Sequence, residues 1–337
     1  MFVLLTPGDN YYISYSEVYS DSRFVASQSQ YSPFINDRLT ENLCRGVFNR
    51  YALKLLPSVA RKMFYPRLMG AGKLNKEESH VFFFSRGNRF YNDTAFLSAI
   101  RKRYPNVKIV MFLGDLLSRN PNSSVEEQLS LFREYYDLVV TFDPVEAEKY
   151  KFSYIPSFCY SRIDKYINES GTFDYDVIYV GRAKVEFGFE RFQKIIALFE
   201  RLRSCDLRLK FYITGVPEEM QIYKDQIIYN QYIPYEKILE LISRSRCILE
   251  IMQADQTGTT MRTSEAIAYN KRLLTDNESL RSYELYDAKN MLIFQSAEEI
   301  DVNFILDDSP IIYHGFEKLS PYLYFDKVTA LLNDKNK

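Results

Sequence analysis

One segment gathers most of the groups able to do chemistry. Gln256, Thr257, Gly258, Thr259, Thr260, Met261 and Arg262 run into Thr263, Ser264 and Glu265. The apolar run 247–252 before it reads as a strand, and 263–270 after it reads as a helix. A helix start exposes unpaired backbone N–H groups and the positive end of the dipole. Gly258 lets a ligand come close to the backbone, and the hydroxyls of Thr259 and Thr260 add donors. Together they form a cradle for a diphosphate. Glu265, in the first turns of the helix, can accept two hydrogen bonds from a diol such as a ribose. The plainer alternative is an ordinary capped helix, with Thr263 or Ser264 as cap and Glu265 as partner of the dipole.

A second constellation lies at 45–76. Arg45, Arg50, Lys54, Arg61, Lys62, Arg67, Lys73 and Lys76 occur there without one acid, and Phe48, Tyr51, Leu55, Val59 and Met63 interleave at near-helical spacing. Such a basic amphipathic stretch suits an anionic membrane surface. The bland reading is a core helix with solvated basic residues. No nucleic-acid motif accompanies it, so nucleic acid is not expected as a partner. The two histidines, His80 and His314, are too few for a multi-histidine metal site. Cys44, Cys159, Cys205 and Cys247 have no metal-ligand or CxxC spacing and read as reduced thiols. Sequons starting at Asn92, Asn122, Asn168 and Asn277 read as chance matches, because residues 1–6 lack the basic lead of a secretion signal.

The elements that must hold these groups alternate along the chain. Runs at 2–6, 81–84, 107–113 and 138–142 read as strands, and 126–136 and the stretch after Asp93 read as helices. A polar, aperiodic stretch at 156–174 interrupts the series. The series then resumes with strands at 177–180, 209–214, 247–252, 272–275 and 291–294. Helices are expected after 190 and at 235–243, 263–270, 297–306 and 322–332. Strand–helix–strand alternation argues for parallel sheets with crossover helices. The 337 residues, with 46% hydrophobic and 26% charged, suffice for two full cores and exclude a disordered or collagen-like chain. A net charge of -1 argues against a general polyanion binder. No stretch of about 18 apolar residues is present, so no transmembrane span is expected.

The order strand–Gly181–Arg182, helix, 211–215, 232–252, Gly258-Thr259-Thr260, Glu265-Ala266-Ile267-Ala268 and 273–275 resembles the GT-B glycosyltransferases. Within that class it is similar to bacterial enzymes of capsule and lipopolysaccharide synthesis. The resemblance is best over 176–294; the first half matches by its alternation and by Val139-Val140-Thr141-Phe142-Asp143. It implies an α/β GT-B architecture: two Rossmann-like domains facing each other across a cleft. The expected boundaries are 1–160 for an acceptor-binding domain, 161–175 for a linker and 176–312 for a nucleotide-sugar-binding domain. A C-terminal helix within 313–337 would return to the first domain.

The resemblance also implies roles. Glu265 would bind the donor ribose, and Gly181, Gly258, Thr259 and Thr260 would line the donor site. Arg182 and Lys184 would neutralise the departing diphosphate, where a fixed cation stabilises growing negative charge. The alternative for that pair is a solvated loop; Arg191 and Arg262 are weaker candidates. The retaining branch carries a Glu eight places before the ribose acid, but Thr257 stands there, so the stereochemistry does not transfer. An inverting reaction needs a general base. Asp115, at a strand end, is the first candidate, with Asp143 and Asp9 behind it. Each also reads as a turn or cap residue, Asp143 before Pro144 most of all. Asp174-Tyr175-Asp176 has the D-x-D form of metal-dependent GT-A transferases but precedes its strand, so chance explains it better. No metal or other cofactor is expected. The expected partners are a nucleotide-sugar donor and a glycan or lipid-linked glycan acceptor. The expected location is cytoplasmic, with 45–76 against the inner face of the membrane. The alternative is a non-catalytic GT-B-like protein that binds nucleotide or scaffolds a polysaccharide complex.

Overall fold

A computed structural model of the chain describes residues 1–6, 13–27, 29, 31–35, 37–48, 62–156, 159–168, 170–183, 185 and 189–334. Asp9, Lys184 and the 49–61 part of the basic stretch lie outside the described residues. The chain divides into two compact units, Met1–Ile155 with Pro321–Lys337, and Pro156–Ser320. Among the described residues each unit holds one six-stranded, all-parallel sheet.

In the first unit the strand order is β2-β1-β3-β4-β5-β6. The strands are β1 Phe2–Leu5, β2 Phe24–Val25, β3 Val81–Ser85, β4 Lys108–Leu113, β5 Leu138–Thr141 and β6 Ser153–Tyr154. Helix α1 spans Arg38–Val47, α2 Thr94–Arg103, α3 Val125–Tyr135 and α4 Pro144–Tyr150. Three consecutive phenylalanines, Phe82, Phe83 and Phe84, are all buried in β3. Residues on both faces of a strand are buried only when both sides of the sheet are covered, as crossover helices require. Asp93 caps α2 through Phe96 N at 3.0 Å, and Ser124 with Glu127 forms a capping box on α3. The C-terminal helix Pro321–Asp334 belongs to this unit. Its Phe325 ring meets Phe2 at 5.0 Å, Phe24 at 5.1 Å and Phe83 at 5.3 Å. Burying such a ring stabilises by about 1.5–3 kcal/mol. That anchors the helix on the β1–β3 face.

In the second unit the order is β12-β11-β10-β7-β8-β9. The strands are β7 Tyr175–Arg182, β8 Leu209–Thr214, β9 Ile227–Tyr229, β10 Ser245–Glu250, β11 Arg272–Thr275 and β12 Met291–Ile293. The helices are α5 Glu190–Arg203, α6 Tyr235–Ser243, α7 Met261–Ala268 and α8 Val302–Leu306. Helix α5 buries Phe192, Ile195, Ile196, Phe199 and Leu202, the stripe its spacing predicts, and Leu198 besides. The expected helix at 297–306 is instead a 3-10 turn, Ala297–Glu299, followed by the short α8. Residues 161–175, expected as a linker, pack as part of this unit. Tyr166 is buried, and the backbone N–H groups of Asp174 and Tyr175 bond Arg244 O at 2.9 and 3.2 Å. Among the described residues no helix is long and apolar enough to cross a membrane.

Candidate functional site

In the second sheet the chain leaves β7 toward β8 on one side and returns to β10 on the other. The carboxyl ends of β7 and β10 therefore flank a topological switch point, where open α/β sheets bind ligands. Gly181 and Arg182 end β7. A Cβ at Gly181 would collide with the Tyr179 hydroxyl, so a larger residue there would displace that ring. Arg182 is exposed. From α5, Arg191 Nη2 donates to Ile251 O at 2.7 Å, while Arg191 Nε and Nη1 are buried and meet the geometry of no hydrogen bond among the described residues. The Tyr179 hydroxyl is buried beside the Arg191 guanidinium. Burial pushes its pKa up, against the nearby Arg191 and Arg262 charges. Lys194 pairs with Asp276 at 2.8 Å, and Asp276 holds Met252 N at 2.7 Å, just past the end of β10.

The loop before α7 is stitched down by hydrogen bonds. Asn277 Nδ2 donates to Gly258 O at 3.2 Å, the Ser279 hydroxyl bonds Thr257 O, and Thr259 Oγ1 reaches Pro156 O at 3.3 Å. The cap of α7 is Thr260, not Thr263 or Ser264; its hydroxyl oxygen accepts from Arg262 N at 3.0 Å. The same hydroxyl donates to Glu250 Oε1. A threonine has one hydroxyl proton, so Thr260 has none left for a phosphate. Its contribution is to fix the helix start. Glu250 also accepts from Thr263 Oγ1 at 3.1 Å and from Thr275 Oγ1 at 2.6 Å. Sequence reasoning missed this carboxylate. The one available signal was an acid ending an otherwise apolar strand.

Glu265 is 0% exposed. Tyr235 Oη donates to its Oε1 at 2.6 Å and Arg262 Nη1 to its Oε2. Tyr160 Oη lies 2.9 Å from Tyr235 Oη and 3.5 Å from Tyr269 Oη, closing a tyrosine cluster around the acid. Burial pushes the Glu265 carboxyl up, and the Arg262 charge and the Tyr235 hydroxyl work against it. A carboxylate so enclosed meets a ribose only after Arg262 or Tyr235 turns aside.

In the first unit, acids collect beyond β4 and β5. Asp115 accepts from Leu116 N at 3.0 Å and lies 4.0 Å from Arg86. Asp143 is buried and caps α4 through Val145 N and Glu146 N, both at 3.0 Å. Beside them is Glu146, which sequence reasoning did not single out. Its Oε1 accepts from Leu117 N at 2.6 Å, its Oε2 is buried and unpartnered, and burial pushes its pKa up to about 7. Asp174 and Asp176 flank the start of β7, away from the strand ends that hold the other groups. Asp174 pairs with Arg244, and Asp176 with Arg208 at 2.8 Å. His80 is buried with Nε2 2.6 Å from Asn75 O, and His314 is exposed. Among the described residues no group of three or more His, Cys, Asp or Glu could hold a metal.

Two parallel sheets, each with its own crossover helices, define a two-domain α/β protein of the GT-B kind. Residues 193–306 match a family model described as glycosyl transferase-like, which spans α5 through α8 and includes Glu250, Gly258 and Glu265. Solved structures similar to the chain include Anabaena HepE in complex with UDP, at 11% identity and TM-score 0.56, covering 99% of this chain and 100% of that one. TarM is similar at 10% identity and TM-score 0.44, covering 79% of this chain and 50% of that one. The chain thus matches half the length of TarM. The likeness to HepE is one of fold. No curated protein matches the sequence.

Proposed function

We propose that this protein is a glycosyltransferase that moves a sugar from a nucleotide-sugar donor to a glycan acceptor, lipid-linked, in bacterial surface polysaccharide assembly. The observation that carries the reading is the switch point of the second sheet. There the Gly181-Arg182 end of β7, the buried Arg191 Nε and Nη1 and the fixed start of α7 lie in a unit whose residues 193–306 match the glycosyl transferase-like model. The donor diphosphate would rest at the α7 N-terminus, beside Gly258 and Thr259. Arg182, Lys184 and Arg191 would offset the charge of the leaving nucleoside diphosphate. Glu265 would hold the ribose, and Asp115 would take the acceptor proton. The reaction is proposed to need no metal, so activity should persist in chelator. The basic stretch 45–76 would rest on anionic lipid beside the acceptor.

A thermal-shift screen against UDP-, GDP-, CMP- and dTDP-sugars tests the donor site, because a ligand of the folded form raises its melting temperature. One nucleotide class should stabilise the protein, and Glu265→Gln, which keeps a partner for Tyr235, should weaken its binding at least about tenfold. Unchanged binding removes Glu265 from the site. The enclosure of Glu265 by Tyr235 and Arg262 favours a second reading, a GT-B-like protein that binds or scaffolds without catalysis. Donor that binds, yet is neither hydrolysed nor transferred with any acceptor, would select it.

A further inference from the structure

At the amino ends of the second sheet's strands, where β10 and β11 begin, lies a cavity of about 540 Å³. Its lining includes Phe173, Arg246, Lys271, Arg272, Asp307 and Asp308. Asn270, in the left-handed conformation at φ 51°, turns the chain from α7 into β11 and sends Lys271 inward. Lys271 is 2% exposed. Its ammonium donates to Ser243 O at 2.8 Å and sits 4.7 Å from the Phe173 ring centroid, and no carboxylate pairs with it among the described residues. Two guanidinium groups flank it. Arg246 pairs with Asp176 at 3.4 Å and Asp308 at 2.5 Å, and Arg272 with Asp307 at 2.7 Å. The side chains of Asp308 and Asp307 are 81% and 50% exposed, so these pairs are held weakly against solvent. Among the described residues Arg272 Nε is buried without a hydrogen-bond partner.

A buried ammonium without a counter-charge costs folding energy. An anion in the cavity would offset that cost and take up the free guanidinium donor. We propose that this cavity is a second binding site, which takes an oxyanion, free or as the phosphate of a monosaccharide-sized ester, on Lys271, Arg246 and Arg272. The site is separate from the proposed donor site, at the other ends of the same strands. Burial lowers the Lys271 pKa to about 7, with the Cys247 thiol the one opposing influence, so binding should draw a proton onto Lys271. The other charged groups around it are Arg246, Arg272, Asp176, Asp307 and Asp308.

Calorimetric titration of the full chain with sulfate tests this, since sulfate does not change charge near neutral pH. Affinity should fall at least about fivefold between about pH 6 and about pH 8.5 at constant ionic strength. Lys271→Met should weaken binding at least about tenfold at the lower pH and abolish the pH dependence. Methionine fills the space without a buried charge, so the variant should fold; its melting temperature checks that. Arg246→Gln should weaken binding at both pH values. Glucose 6-phosphate, titrated beside sulfate, binds more tightly if the natural ligand is an ester and equally if it is the free oxyanion. Absence of sulfate binding up to on the order of 10 mM overturns the proposal, as does equal affinity in Lys271→Met. Donor binding, followed in parallel by thermal shift, should survive Lys271→Met, so failure here is distinguishable from failure of the glycosyltransferase reading.

Discussion

Each unit buries a glutamate near the carboxyl end of its sheet; burial pushes both carboxyls up, and the two differ in the hydrogen bonds that oppose it. Glu250 in the second unit is 2% exposed and receives three threonine hydroxyls, from Thr260, Thr263 and Thr275. Glu146 in the first unit is 7% exposed and receives one backbone N–H, with its second oxygen left unpartnered. Glu250 ties β10, β11 and the start of α7 into one piece. Glu146 rests in a looser cluster with Asp143, Asp115 and Arg86. A satisfied buried carboxylate stiffens its surroundings, and an unsatisfied one remains poised to titrate. The second unit therefore holds a pre-set helix start, whereas the first holds an acid whose charge changes near neutrality.

Breaking the stiff side should have the larger effect. Glu250→Ala strands the two buried hydroxyls of Thr263 and Thr275 and the half-buried one of Thr260, and frees the α7 cap. Urea unfolding should show a loss of about 3 kcal/mol or more. It should also weaken donor binding, because the α7 N-terminus no longer holds its position. A loss below about 1 kcal/mol would mean that the three threonines find other partners and that the contrast between the units is empty.

How much of this was legible in the sequence follows the range of each interaction. The alternation gave ten or so residues at a time a clear period, so β8 and α6 fall where the pattern puts them, at Leu209–Thr214 and Tyr235–Ser243. The strands β2, β6 and β9, of two or three residues, are too short to show any period. The cap reading of Asp143 needs only its neighbours Pro144 and Val145, and it is visible locally. The Glu250 cluster spans 25 residues to Thr275, and the tyrosines around Glu265 come from positions 160, 235 and 269. Such side-chain meetings are products of the fold and leave no spacing to read. The stretch 161–175 conceals its packing for a related reason. It has no period, yet Tyr166 packs its ring 6.3 Å from that of Tyr269.

On the first unit, Asp143→Ala removes the cap of α4 and a negative neighbour of Glu146. Helix capping of this kind contributes about 1 kcal/mol, measurable by urea unfolding near neutral pH. Part of that loss should be recovered there, because Glu146 then ionises more easily. The variant should accordingly look worse in mild acid than at neutral pH. An equal loss at both would detach Asp143 from the titration of Glu146.

Glu146→Gln isolates that titration. The Glu146 pKa is about 7 in the folded chain and near 4.5 when unfolded, so between those values the folded state binds more protons. Stability from this group is fully present below about pH 4.5 and is lost as pH rises through about 7. Glutamine keeps an acceptor for Leu117 N and does not titrate. The two proteins should therefore be nearly equal in stability at about pH 5, and the variant should lead by on the order of 1 kcal/mol at about pH 8. Parallel stability curves would show that Glu146 ionises without cost in the folded chain. The first unit would then hold its buried acid as securely as the second, through donors other than the single backbone N–H of Leu117.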